Sequence, residues 1–179
     1  MNQSVMKTGL HQEGTPLRIL ITGGTFDKQY DPLRGELGFA DSFLPEILRY
    51  SRCTLPVTLD LVQMKDSLYM TDEDRLHIRR SCTASPEEHI IITHGTDTMV
   101  ETAQLIGQAQ LGKRIVLTGA MVPYSVNGSD SVFNLGCSIA AVQFCPPGVW
   151  ICMNGRLYPH DGVRKNLELG VFELTGAES

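Results

Sequence analysis

The sequence predicts a three-layer, doubly wound α/β fold with a mostly parallel sheet between helices, and three observations carry this. Short apolar runs recur along the chain, several of them are rich in Ile and Val and do not alternate apolar with polar residues, and segments of helical periodicity separate most of them. Strands that are apolar throughout are strands covered on both faces, as happens when helical crossovers link parallel neighbours.

The runs are Leu17–Thr22, Val57–Met64, His89–Thr93, Arg114–Thr118 and Val149–Met153. Between Gly23 and Pro56 the pattern predicts a long loop with one short helix around Phe43–Ser51. Thr71 opens the next helix: its hydroxyl is a capping group, and Asp72, Glu73 and Asp74 place carboxylates in the first turn, where the helix dipole favours them. Thr98 and Glu101 have capping-box spacing ahead of Met99, Ala103 and Ile106 on one helical face. From Ser131, the residues Val132, Leu135, Ile139 and Val142 form a third apolar stripe, closed by Pro146-Pro147. Asn154-Gly155 is a two-residue hairpin signal, so Arg156–Tyr158 should return as a short antiparallel edge strand near the C-terminus.

The bulk numbers fit one such domain. At 179 residues, with 42% hydrophobic and 20% charged residues, the chain can bury a single substantial core. Residues 1–16 read as a leader ending at Pro16, followed by one domain over 17–179 with no second domain. A formal charge of −5 argues against a phosphate-binding face, so no nucleic-acid partner is expected. No apolar run approaches the ~20 residues of a membrane span. The five cysteines are odd in number, and none forms a C-x-x-C pair. Reduced thiols and a cytoplasmic location are therefore expected. The histidines lack metal-ligand spacing and no phosphate-loop motif is present, so neither metal nor cofactor is assigned.

Open parallel sheets bind ligands outside the carboxyl ends of their strands. Here the first run leads into Gly23-Gly24-Thr25, the second into Asp66-Ser67, the third into His94-Gly95-Thr96-Asp97-Thr98 and the fourth into Gly119-Ala120. Glycines, hydroxyls and carboxylates thus collect on one rim. Each element also has a structural reading. Gly23-Gly24 could serve a tight turn, Thr96 to Thr98 could cap a helix, and Asp66-Ser67 could form a turn. His94 reads as a packed, hydrogen-bonded ring. Lys165, within the charged stretch 161–166, reads from composition alone as a solvated residue.

Together the motifs resemble the bacterial-type L-asparaginases. The string from Ile19 to Thr25 is similar to that family's amino-terminal signature, and the string from Ile91 to Met99 to its second signature. Asp66-Ser67 with Met70-Thr71, Val116 to Pro123, Ser129-Asp130 with Asn134-Leu135, Met153 to Leu157, and Val163-Arg164-Lys165 extend the likeness over residues 17 to 172. The resemblance implies hydrolysis of the side-chain amide of L-asparagine through a threonine acyl-enzyme. It makes Thr25 the nucleophile, Thr96, Asp97 and Lys165 a hydroxyl–carboxylate–amine set, and Tyr30 the loop tyrosine. Asp66 and Ser67 would hold the substrate's α-amino and α-carboxylate groups, with Gly24 and Gly95 beside them. A threonine hydroxyl needs a neighbouring base, and lysine can serve when burial and neighbours lower its pKa.

Full-length members close the pocket with a second domain from a neighbouring subunit. A chain of this length is therefore expected to form a homodimer or higher homo-oligomer and to hold a small amino-acid amide weakly. Two other readings compete with this one: a small amino-acid-binding module of the same fold with weak or no catalysis, and a nucleotide-binding domain. A pure binder has no use for two hydroxyls and a lysine, and the missing phosphate motif counts against the second.

Overall fold

The computed structural model describes residues 14–176; the expected leader over 1–16 lies outside the described residues as far as position 13. Five parallel strands and one antiparallel edge strand make the main sheet. They are β1 (Leu17–Gly23), β4 (Val57–Lys65), β5 (His89–Thr93), β6 (Arg114–Thr118), β7 (Gly148–Met153) and β8 (Arg156–Pro159), in the order β4-β1-β5-β6-β7-β8. β7 and β8 pair antiparallel around Asn154-Gly155, where Asn154 takes a φ of 56° and Gly155 one of 74°. Both are the left-handed values that a type I′ turn requires.

Period-two alternation within the strands sorts the core into two layers. Leu20, Ile90, Ile92, Ile115 and Leu117 face helices α2 (Asp72–Ala84) and α3 (Met99–Gly107), through Ile78, Cys82, Met99, Ala103 and Ile106. Ile19, Ile21, Ile91 and Val116 face α1 (Leu44–Tyr50) and α4 (Ser131–Phe144), through Leu44, Ile47, Leu135 and Val142. These side chains are almost all fully buried. Helices on both faces of a mostly parallel sheet give the expected three layers. No described helix is long and apolar enough to cross a membrane. All five cysteines are free thiols, three of them buried.

Three local expectations are corrected, and one further hairpin is found where the sequence pattern makes no prediction. The stretch read as a long loop contains an antiparallel hairpin, β2 (Lys28–Asp31) with β3 (Glu36–Phe39). Its cross-strand pairs include Lys28 with Phe39 and Tyr30 with Leu37, in strands too short for alternation to be visible in sequence. A second hairpin, β9 (Val163–Asn166) with β10 (Val171–Leu174), follows the edge strand. The α4 stripe is rotated: Val132 is exposed, and Ser131, Asn134 and Ser138 take the sheet-facing positions beside Leu135 and Val142. Small polar side chains with partners can sit there as well as apolar ones, which a hydropathy pattern does not anticipate. The capping box at Thr98 does not form; its hydroxyl donates instead to the Ser67 carbonyl at 2.9 Å. The box at Thr71 and Asp74 does form, with both reciprocal hydrogen bonds.

Candidate active site

β1 and β5 are neighbours, and the chain leaves β1 for β4 by way of α1 on one face of the sheet and leaves β5 for β6 by way of α3 on the other. That makes the carboxyl end of β1 and β5 the switch point where a crevice opens. Two glycines let the loops meet there. A Cβ on Gly24 would lie 2.3 Å from the Gly95 nitrogen, and one on Gly95 would lie 2.4 Å from Ser67 Oγ. Gly24 also holds a φ of 81°, closed to most side chains. The next residues along, Thr25 and Thr96, therefore leave a single point of contact between the β1 and β5 loops.

Thr25 is half-buried and begins a 3₁₀ turn, Thr25–Asp27. The rest of that turn is pinned. Asp27 is fully buried and accepts hydrogen bonds from the Ser42 hydroxyl at 2.9 Å and the Phe43 N–H at 3.0 Å, which fastens it to the start of α1. Burial pushes its carboxyl pKa up, against those two donors. Ser67 lies in another 3₁₀ turn, Ser67–Tyr69, and is 1% exposed with no protein partner for its hydroxyl among the described residues.

Lys165 completes the set from the far side. Val163 and Lys165 share one face of β9, and because Val163 is buried against the core, Lys165 is turned inward too. Its ammonium donates to Thr96 Oγ1 at 2.8 Å and to Asp97 Oδ1 at 2.7 Å. The lysine side chain is 10% exposed, so the solvated reading from composition does not hold. Arg164, on the opposite face, reaches outward to Glu173.

Composition gives no sign of what holds this hairpin. Asn134 donates to the Gly119 carbonyl at 3.0 Å and to Asp130 at 2.9 Å, and accepts from the Asn154 N–H at 3.2 Å. Asn154 Oδ1 in turn accepts from the Phe172 N–H, opposite Lys165 in the hairpin register. Asp130 also receives the N–H groups of Met121 and Val122. An Asn buried to 1% exposure with its polar atoms satisfied is a structural joint, and it ties α4 to the strand that opposes Lys165.

His94 serves the same end. Its Nδ1 faces the Gly95 carbonyl at 2.7 Å, so that nitrogen carries the proton, and Nε2 accepts from the Thr102 hydroxyl at 2.9 Å. Burial drives its pKa down to about 4; the Gly95 carbonyl opposes this, and the charge of Arg75 adds to it. The ring is a neutral brace for the Gly95–Thr96 turn. Since the folded-state value lies below the ordinary one of 6.5, the ring's stabilising contribution is complete above about pH 6.5 and is lost as pH falls toward 4. The shift corresponds to on the order of 3 kcal/mol. Residue-resolved NMR should find the His94 ring neutral at about pH 5.5; a ring titrating near 6.5 would contradict this. Glu87 and Asp74, both held near 2 by hydrogen bonds from Arg18 and Lys65, lose their contributions only in more acidic solution.

The remaining candidates divide. Gly24, Gly95, Thr96, Asp97, Lys165 and Ser67 converge. Tyr30 lies on β2 rather than in an irregular loop and is 63% exposed. It lines an open concavity of about 300 Å³ with Arg34, Glu36 and Phe39. Among the described residues, no hydrogen bond joins it to Thr96, Asp97 or Lys165. Asp66 is paired with Lys28, a residue that no sequence pattern singles out.

A doubly wound α/β domain with a threonine–aspartate–lysine set at its switch point is the class that fold and site define. The asparaginase N-terminal family model matches residues 16–171, and the chain belongs to the asparaginase family. It is similar to L-asparaginase 1 of Escherichia coli K12, 31% identical over 150 residues that cover 78% of this chain and 44% of that protein. It is also similar to the L-asparaginase of Thermococcus kodakarensis, 30% identical over 118 residues, covering 64% of this chain and 36% of that one. Among solved structures, the probable cytoplasmic L-asparaginase from Campylobacter jejuni superposes with a TM-score of 0.76 at 27% identity, over 91% of this chain and 54% of that one. The chain spans about half the length, or less, of these relatives.

Proposed function

We propose that the chain is an amidohydrolase that hydrolyses the side-chain amide of L-asparagine to aspartate and ammonia. The observation that carries this is the nearly buried Lys165 ammonium, held by Thr96 and Asp97 next to the contact of the Thr25 and Thr96 loops. In this reading Thr25 attacks the amide carbon, and the Thr96–Asp97–Lys165 set handles its proton. The oxygen that gains negative charge meets backbone N–H groups of the Thr96-Asp97 turn, just ahead of α3. Ammonia leaves, and water then releases aspartate from the threonine ester. Ser67, whose buried hydroxyl has no partner among the described residues, holds the substrate's α-substituents.

The reading extends to a cytoplasmic protein that works as a homo-oligomer on a small amino-acid amide, and that uses neither nucleic acid nor membrane. Ammonia release from L-asparagine, L-glutamine and their D-isomers is the direct test, with turnover expected to be highest on L-asparagine. Binding of aspartate without ammonia release from any of the four would leave a small amino-acid-binding module instead. Light scattering across a concentration series tests the assembly, and a strictly monomeric active protein would remove that part.

A further inference from the structure

The residues that follow the Thr25 turn and precede the Ser67 turn meet each other. Lys28 Nζ donates to Asp66 Oδ2 at 2.6 Å, and the two side chains are 22% and 21% exposed. Asp66 Oδ1 accepts the Leu68 N–H at 3.0 Å and so caps the 3₁₀ turn that carries Ser67. Lys28 is anchored as well: its carbonyl accepts the Ser125 hydroxyl at 2.9 Å, and the Tyr124 N–H reaches the Phe26 carbonyl two residues earlier. Both Asp66 oxygens are therefore engaged within the protein, one by the Ser67 turn and one by the Thr25 turn.

The resemblance assigns Asp66 to the substrate's α-amino group. A second ammonium at that carboxylate would have to share it with, or displace, one already seated and mostly shielded from water. We propose instead that Lys28 and Asp66 form a strap that fixes the distance between the Thr25 turn and the Ser67 turn, with Lys28 a positioning residue and Asp66 its anchor. This rests on the amidohydrolase reading above, in which Ser67 holds the substrate that Thr25 attacks. Burial alone would raise the Asp66 pKa, but the Lys28 hydrogen bond, the Leu68 N–H and the Lys28 charge outweigh it, so the carboxylate stays ionised and the strap stays closed at neutral pH.

A strap and an amine ligand behave differently on mutation. If the strap sets the distance, Lys28→Met leaves substrate bound at Ser67 but misplaced relative to Thr25. A misplacement of about 1 Å costs roughly 10²-fold in rate. The expected result is that Lys28→Met and Asp66→Asn each lower kcat by roughly 10- to 100-fold with KM within about 2-fold of wild type, and that the double variant loses no more than either single one. Lys28→Arg should keep most of kcat, and the exchanged pair Lys28→Asp with Asp66→Lys should recover part of it. If Asp66 were the amine ligand, Asp66→Asn would raise KM, while Lys28→Met would free the carboxylate and lower KM. That pattern would overturn the proposal.

Hydrogen–deuterium exchange reads the strap without any turnover. Either single variant should speed exchange in both segments, 25–31 and 67–70, while its melting temperature stays close to wild type. Unchanged exchange at 67–70 in Lys28→Met would overturn the strap. Faster exchange in both segments of either variant, together with a wild-type protein that releases no ammonia, would sustain the strap and remove the amidohydrolase reading instead.

Discussion

Thr25→Ala is expected to lower turnover by roughly 10³-fold or more while leaving the domain folded and able to bind aspartate. In the proposed mechanism, removing the attacking oxygen removes the covalent route through Thr25. The fold should tolerate the change. Thr25 is only half-buried, and its turn is held by its neighbours, Phe26 and Asp27, both fully buried, with Asp27 fastened to Ser42 and Phe43. Loss of a hydroxyl and a methyl at such a place costs about 1 kcal/mol or less. Calorimetric titration with aspartate, beside ammonia release from asparagine, separates binding from chemistry. A folded Thr25→Ala protein with wild-type kcat would end the nucleophile assignment.

Lys165→Met and Thr96→Ala should each cost about as much turnover as the two together. The lysine reaches Thr96 and Asp97 with one ammonium, and in the proposed mechanism deleting any member of the set removes the same proton path. Residues that act as one unit are grossly non-additive. Folding is not the confounding factor it would be for a deeply buried pair, because Asp97 is 40% exposed and water can take over its carboxylate. A double-mutant cycle in kcat checks this. Losses that simply add would mean that Lys165 and Thr96 do not act together, and the site would need a different base.

The sheet is legible in the sequence because its signal is redundant. Five apolar runs with helical spacers admit few arrangements, and all five are strands of the main sheet. The rim is legible for a related reason: the residues that end those runs are Gly, Thr, Asp and Ser, and the topology brings strand ends together. What stays hidden depends on side-chain geometry across long separations. Lys165 sits among Asp161, Arg164 and Asn166, so nothing in its surroundings announces burial; only the register of a four-residue hairpin strand turns it inward. Lys28 and Asp66 are 38 residues apart, and neither belongs to a periodic pattern. Asn134 shares the buried face of α4 with Leu135 and Val142, where a hydropathy pattern expects only apolar side chains. Buried polar side chains with complete hydrogen bonding leave no trace in hydropathy.

The site is spread over long loops of chain, and this has a kinetic consequence. Thr22 donates to the Thr93 carbonyl 71 residues away, one strand end against another, and Lys165 reaches Thr96 across 69 residues. Neither closure can be made early by local turns, since each waits for distant strands to pair, the slow class of contact in folding. The thermodynamic cost of such long closures is modest, because loop entropy grows only with the logarithm of length. A newly synthesised chain can thus hold secondary structure, and even the β1–β4 pair, without any working set of groups. The Lys165–Thr96 contact forms only when the β9–β10 hairpin docks against the β5 loop, so that contact reports native packing of these segments rather than collapse.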